Sequence, residues 1–246
     1  MGSTLSSLQF DAHDPERLAA FWGGLLGRQT RPDEHSGDVV VLPHAEHDVP
    51  LVFVATSEAR WGLNQMHFDL TSASLAEQQQ TVERALALGG RHFDVGQTDD
   101  EPHVVLADPE GNEFCVIEAG NNFLADTAQI GAFSCDGSQA VGYFWAAALD
   151  WPLVWDHDEE TAIQSPQGGT KISWGGPPVS AKLGKNRLRL ELRVDDDADA
   201  QVEIARLVSL GASRIGAEQR PAEQRSAERV MLADPDGNEF CVSFRQ

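Results

Sequence analysis

"LADPEGNEFCV" at Leu106–Val116 and "LADPDGNEFCV" at Leu232–Val242 are the same eleven residues but for one Glu/Asp exchange. The copies are separated by about half of the 246-residue chain. A self-match at that distance marks two tandem copies of one domain. Within each copy, Asp-Pro-Glu/Asp-Gly-Asn is a turn-forming cluster between two apolar runs, with glycine supplying the positive φ of a tight hairpin. The stretch is therefore a hairpin first, and its repetition needs no catalytic reason.

The likeness extends outward from the hairpin. "HDPERLAAFWGGLLG" opens with Asp14 as N-cap and Pro15 at the first helical position, a strong start signal. Leu18, Phe21, Trp22, Leu25 and Leu26 form one apolar helical stripe, matched by Val141, Phe144, Trp145, Ala148 and Leu149; such stripes are normally core. Short β-rich runs follow: "DVVVL" and "PLVFVA" in the first half, "LVW", "TAIQ" and "TKISW" in the second. "NQMHFDL" (Asn64–Leu70) aligns with "NRLRLEL" (Asn186–Leu192). Each is an alternating strand leading to a helix that stops at Gly89 or Gly211. "RHFDV" and "HVVLA", with "SRIGA" and "RVMLA" as counterparts, complete each half. Each half is itself a duplicated βαβββ unit. The fold class is α+β, with four units forming two tandem cupped-sheet domains at 1–120 and 130–246, joined by a linker at 121–129.

These helices, the "MHFDL" strand, the "LALGG" stop and the "DPEGNEFCV" hairpin together resemble the vicinal-oxygen-chelate superfamily over nearly all of both halves. That group comprises glyoxalase I, bleomycin-resistance-type binding proteins, extradiol dioxygenases and methylmalonyl-CoA epimerase. The resemblance is to its two-domain, glyoxalase-like branch. It implies curved sheets that cup a ligand. In the enzymes it also implies a divalent metal held by His or Glu/Gln on a first strand, His on the strand opening the second unit, and Glu on the last strand. Such ligands leave open positions for two substrate oxygens.

Carried over residue by residue, the ligand set is broken. The middle histidine is His67. The last-strand glutamate is replaced by Cys115, and the first-strand position falls near Ser7, with Gln9 one step along the same face. In the second half the three positions are Arg189, Cys241 and the neighbourhood of Ile130. Arginine stays protonated and is no metal ligand. If the hairpin is symmetric, Val105 faces Cys115, and His103 shares that face by the period-two rule. His67, His103 and Cys115, with Asp69 beside them, then form the one metal candidate. Between the halves His67 becomes Arg189, His103 becomes Arg229 and Asp69 becomes Glu191. Two arginines against one carboxylate read either as an anion-binding cup or as an internal network. His67, His103 and Asp69, with the histidines neutral, suit neutral or cationic aromatic ligands. Cys115 and Cys241, in matched places, read as small buried hydrophobes.

Composition narrows the classes. Eighteen Lys+Arg against 39 Asp+Glu give a net charge of −21, which argues against nucleic acid and anionic membranes as partners. Three cysteines without CxxC spacing offer neither a disulfide framework nor a zinc knuckle. "DDDADA" (Asp195–Ala200) is an acidic approach to a helix N-terminus without EF-hand spacing. No basic leader and no membrane-length apolar run is present, so a cytoplasmic location is the expectation. The function expected is metal-independent binding of a small molecule, of the antibiotic- or metabolite-sequestering type, with no cofactor. The alternatives are a metal-dependent lyase, isomerase or dioxygenase in the first domain, and an interaction protein with filled cups.

Overall fold

The computed structural model describes residues 2–33, 36–45, 47–98, 100–194, 197–217 and 228–244. The first unit runs β1 (Thr4–Ala12), α1 (Pro15–Leu26), β2 (Thr30–Pro32), β3 (Val39–Val41), β4 (Leu51–Ala55). The second is β5 (Met66–Leu70), α2 (Leu75–Ala87), β6 (Arg91–His92), β7 (Val104–Ala107), β8 (Glu113–Val116). The third is β9 (Ile130–Cys135), α3 (Gln139–Leu149), β10 (Leu153–His157), β11 (Glu160–Gln164), β12 (Lys171–Trp174). The fourth is β13 (Leu188–Val194), α4 (Asp197–Leu210), β14 (Ser213–Ala217), β15 (Glu228–Ala233), β16 (Glu239–Phe244). The acidic run thus enters α4 at Asp197, while Asp195 and Asp196 lie outside the described residues.

The repeated hairpin is the fastener of each half. Gly111 and Gly237 hold φ of 88° and 86° in the β7–β8 and β15–β16 turns, a conformation side chains resist. The Asp108 carboxylate accepts the backbone N–H groups of Glu110 and Asn112, the Asn112 amide, and the Trp22 indole N–H at 3.2 Å. Asp234 accepts from the N–H groups of Asp236 and Asn238 and from the Trp145 indole, also at 3.2 Å. The exchanged residue keeps its task. Glu110 accepts from the N–H groups of His13 and Asp14 ahead of α1, and Asp236 accepts from the Ser138 N–H and hydroxyl ahead of α3. Glu113 receives Asn64 N–H and Arg60, just as Glu239 receives Asn186 N–H and Lys182. Nearly every polar residue of the motif is occupied by the fold.

Four units and two cupped sheets are present as the sequence implies, but the units that share a sheet come from different halves. One eight-stranded sheet runs β14-β15-β16-β13-β1-β4-β3-β2 and joins the fourth unit to the first. The other runs β10-β11-β12-β9-β5-β8-β7-β6 and joins the third unit to the second. The seams are antiparallel, β1 on β13 and β5 on β9. The reason lies in the core. Trp22 of α1 packs its ring against Phe10 of one sheet and against Phe68 and Phe114 of the other, at centroid distances of 5.9, 5.0 and 5.0 Å. In the second half α3 packs on β11 and β12 of one sheet, and its Trp145 meets Phe240 of the other at a centroid distance of 4.9 Å. Each half is thus two half-sheets held face to face by a helix. The free edges of their first strands pair with those of the other half. Ser7 and Gln9 consequently sit in a different sheet from His67 and Cys115, so the first-strand position implied by the resemblance does not join them.

Candidate functional site

The two cups differ in what their strands turn inward. In β1 the apolar residues Leu8, Phe10 and Ala12 face the core, which sends Ser7, Gln9 and Asp11 to the opposite face by strand alternation. There they meet β13 in the register Gln9↔Arg189 and Ser7↔Glu191. Arg189 is 1% exposed and makes a fork to Asp11, at 2.8 and 2.7 Å. Lys185 reaches the same carboxylate at 2.9 Å. Burial works against the Asp11 anion, but Arg189 and Lys185 hold its carboxyl below the usual range. Glu191 accepts from Ser7 Oγ and Gln9 Nε2 and pairs with Arg229 at 3.3 Å. Cys241, opposite Glu191, is fully buried. Asp11 is the acid that completes the arginine pairing, and it comes from the other half. Of the two readings of the arginines, this geometry favours the internal network.

In the second sheet the alternation puts Met66, Phe68 and Leu70 into the core and leaves His67 and Asp69 half-buried on the cup face. Asp69 lies in register with Cys115 of β8 and His67 with Ser134 of β9. His67 Nε2 stands 3.3 Å from Asp69 Oδ1, and Ser134 Oγ donates to Asp69 Oδ2 at 2.5 Å. Ser173 Oγ of β12 continues the row, 3.3 Å from Ser134 Oγ. Ligand atoms of His67, Asp69 and Cys115 all lie within 4.8 Å of one another. Burial opposes the imidazolium, but Asp69 and Cys115 outweigh it and push His67 up to about 10. The Asp69 carboxylate at 3.3 Å favours the imidazolium, whereas the sequence suggests a neutral imidazole. Burial pushes the Cys115 thiol up, against the pull of His67.

Val105 does face Cys115, as the symmetric hairpin requires. His103, however, precedes β7 and puts Nε2 3.1 Å from Glu101. Asp69 takes its place beside His67 and Cys115, so the donor set is one imidazole, one carboxylate and one thiol.

A cavity of about 450 Å³ opens over this row, lined by His67, Ser134 and Ser173 and walled by Phe123, Trp155 and Trp174. Phe123 belongs to the 121–129 connection, which thereby builds part of the wall. Its ring stands edge-on to Trp155, 6.4 Å between centroids. Periodicity assigns such aromatics to the core or a linker. Only the pairing of β9–β12 with β5 brings them over His67. Ser134 is equivalent to Gln9 through strand pairing alone, facing His67 as Gln9 faces Arg189, whereas the sequence repeat puts the first-strand position near Ile130.

Paired βαβββ units around two cups define a duplicated glyoxalase-type fold. The glyoxalase-like domain family model matches twice, over residues 7–117 and 131–243, and the chain belongs to that family, with two fused domains of the vicinal-oxygen-chelate superfamily. Among solved structures it is similar to glyoxalase I from Zea mays, at 14% identity over 99% of this chain and 92% of that one, TM-score 0.67. It is also similar to a putative dioxygenase from Bacillus subtilis, at 12% identity over 98% and 84%, TM-score 0.63. At such identities the likeness is one of fold. No curated protein matches the chain in sequence. No helix among the described residues is long and apolar enough to cross a membrane.

Proposed function

We propose that the chain binds a flat, largely apolar small molecule in the cup of the β5–β12 sheet, in the manner of a sequestering protein. The observation that supports this is the cavity of about 450 Å³ with Phe123, Trp155 and Trp174 around a short polar row. Apolar walls with a few convergent polar groups are the usual make-up of a small-molecule site. The His67–Asp69 pair supplies one donor, the Ser173 hydroxyl a second. The other cup is occupied by its own ion pairs. A neutral fluorescent probe, phenylnaphthylamine, tests the reading. Binding should weaken about tenfold or more in Trp155→Ala, because a buried aromatic contact of this size contributes about 1.5–3 kcal/mol. Unchanged affinity in that variant sinks it.

A second reading has its own support in the His67, Asp69 and Cys115 trio. Imidazole, carboxylate and thiolate together suit zinc and leave a fourth position open. The three residues fit such an ion, which would supply Lewis-acid polarisation of a ligand oxygen. His67 and Cys115 must both give up protons to hold it. Elemental analysis of protein purified without chelator decides between the readings. Sequestration without metal predicts far less than one zinc per chain; stoichiometric zinc that disappears in His67→Ala favours the enzyme.

A further inference from the structure

A second cavity, about 280 Å³, lies between the loop preceding β5 and the loop preceding β13. These loops are equivalent in the repeat, Arg60 standing where the second half has Lys182. They clasp each other reciprocally. A methyl group added at Gly184 would meet the Trp61 ring at 3.0 Å, and one at Gly62 would meet Leu183 at 3.3 Å.

Four cations line this space, Arg60, Lys182, Lys185 and Arg187, against a single lining carboxylate, Asp136. That is unexpected in a chain of net charge −21. The acids that pair with the four, Glu113, Glu239, Asp11 and Glu110, are not among the lining residues. Two of these acids are already committed. Asp11 is held in a fork by Arg189, so the Lys185 ammonium, 40% exposed, has a half-share of a carboxylate. Glu110 also accepts two backbone N–H groups ahead of α1. The buried Nε donors of Arg60 and Arg187 find no hydrogen-bond partner among the described residues. Apolar surface rims the same place: Trp61 is 66% and Leu183 71% exposed. A small concavity with positive walls and an apolar rim is complementary to an organic anion with a hydrophobic body.

We propose that the clasp between these two loops is a second ligand site beside the cup, sharing Asn64, Gln65 and Asp136 with it as a common wall and taking a small organic anion such as an aromatic sulfonate or carboxylate. The charged end meets Lys185 and its neighbours, and the apolar body lies on Trp61 and Leu183. The residues that grip the anion, Lys185, Trp61 and Leu183, do not line the cup.

Two probes with one ring system test it on the full chain: anilinonaphthalene sulfonate and the uncharged phenylnaphthylamine. Lys185→Gln and Lys185→Glu should each lower affinity for the sulfonate about tenfold or more, since a charge-assisted contact is lost. Both should leave the neutral probe unaffected. Trp155→Ala, in the cup, should leave the Lys185-dependent sulfonate binding in place. Thermal melting confirms that the variants fold, as expected for a partly exposed lysine. Equal sulfonate affinity in wild type and both Lys185 variants overturns the proposal. So does sulfonate binding lost with Trp155 instead of Lys185, or a wild-type chain that binds no sulfonate.

Discussion

At the residue scale, Arg189 shows how one substitution changes a site's meaning. The histidine of one half becomes an arginine in the other, and the fold answers with Asp11 from a strand 178 residues away. Removing one partner of a buried pair leaves an uncompensated charge, so Arg189→Met should cost about 3 kcal/mol in urea unfolding. Lys185 softens the loss by remaining on Asp11. Restoration of stability by Asp11→Leu in that background would identify the pair as structural. Glu203 offers a pH-dependent counterpart. It accepts from the Ser3 N–H and hydroxyl and pairs with Arg206, tying the start of the chain to α4. Burial opposes its anion, but Arg206 and Ser3 prevail and lower it to about 2. A depressed carboxyl stabilises the fold above its unfolded value, near 4.5, and loses that contribution as pH falls toward 2. Glu203→Gln should cost about 1–3 kcal/mol at neutral pH and flatten the acid limb between those values. An acid limb as steep as wild type contradicts this.

At the scale of elements, the eleven-residue hairpin is legible because its tasks are local. Asp14 caps α1 through Arg17 N–H, Pro15 occupies the first turn, and Gly27 closes the helix with φ of 65°, all as the residue types require. The hairpin's acids act at two kinds of position, Glu110 and Asp236 ahead of the helices and Asp108 and Asp234 inside the turn, and the two kinds should differ in cost. Asp236→Ala removes two hydrogen bonds ahead of α3 and should cost about 1–2 kcal/mol. Asp108→Ala strands the Trp22 indole and the Asn112 amide in a buried setting and should cost about 2–4 kcal/mol. Denaturant midpoints with unchanged slopes check both. A larger loss for Asp236→Ala than for Asp108→Ala would reverse the account.

At the scale of the whole molecule, each cup needs both halves. Residues 1–120 alone would expose the edges of β1 and β5, and residues 130–246 those of β9 and β13. Unpaired edges seek partners. Separately expressed halves should therefore self-associate or remain poorly folded, and mixing them should restore one 1:1 complex that binds phenylnaphthylamine. Two monomeric halves, each binding the probe, would contradict the sheet order. The sequence by itself determined what is local or periodic: the helix stripes and caps, the alternating strands, the hairpin glycines, the fourfold βαβββ repeat and His67 as the residue to watch. Only the tertiary structure decided which strands meet across the halves. That choice set Ser7 and Gln9 in the other sheet and gave Arg189 its acid, while the start of β7 at Val104 left His103 on Glu101 and out of the cluster. It also set Phe123, Trp155 and Trp174 over one cup. The physical reason is that spacing along a strand fixes which face a side chain takes. Pairing of identical-looking edges, β1 on β13 and β5 on β9, is a contact between distant halves that no local pattern encodes.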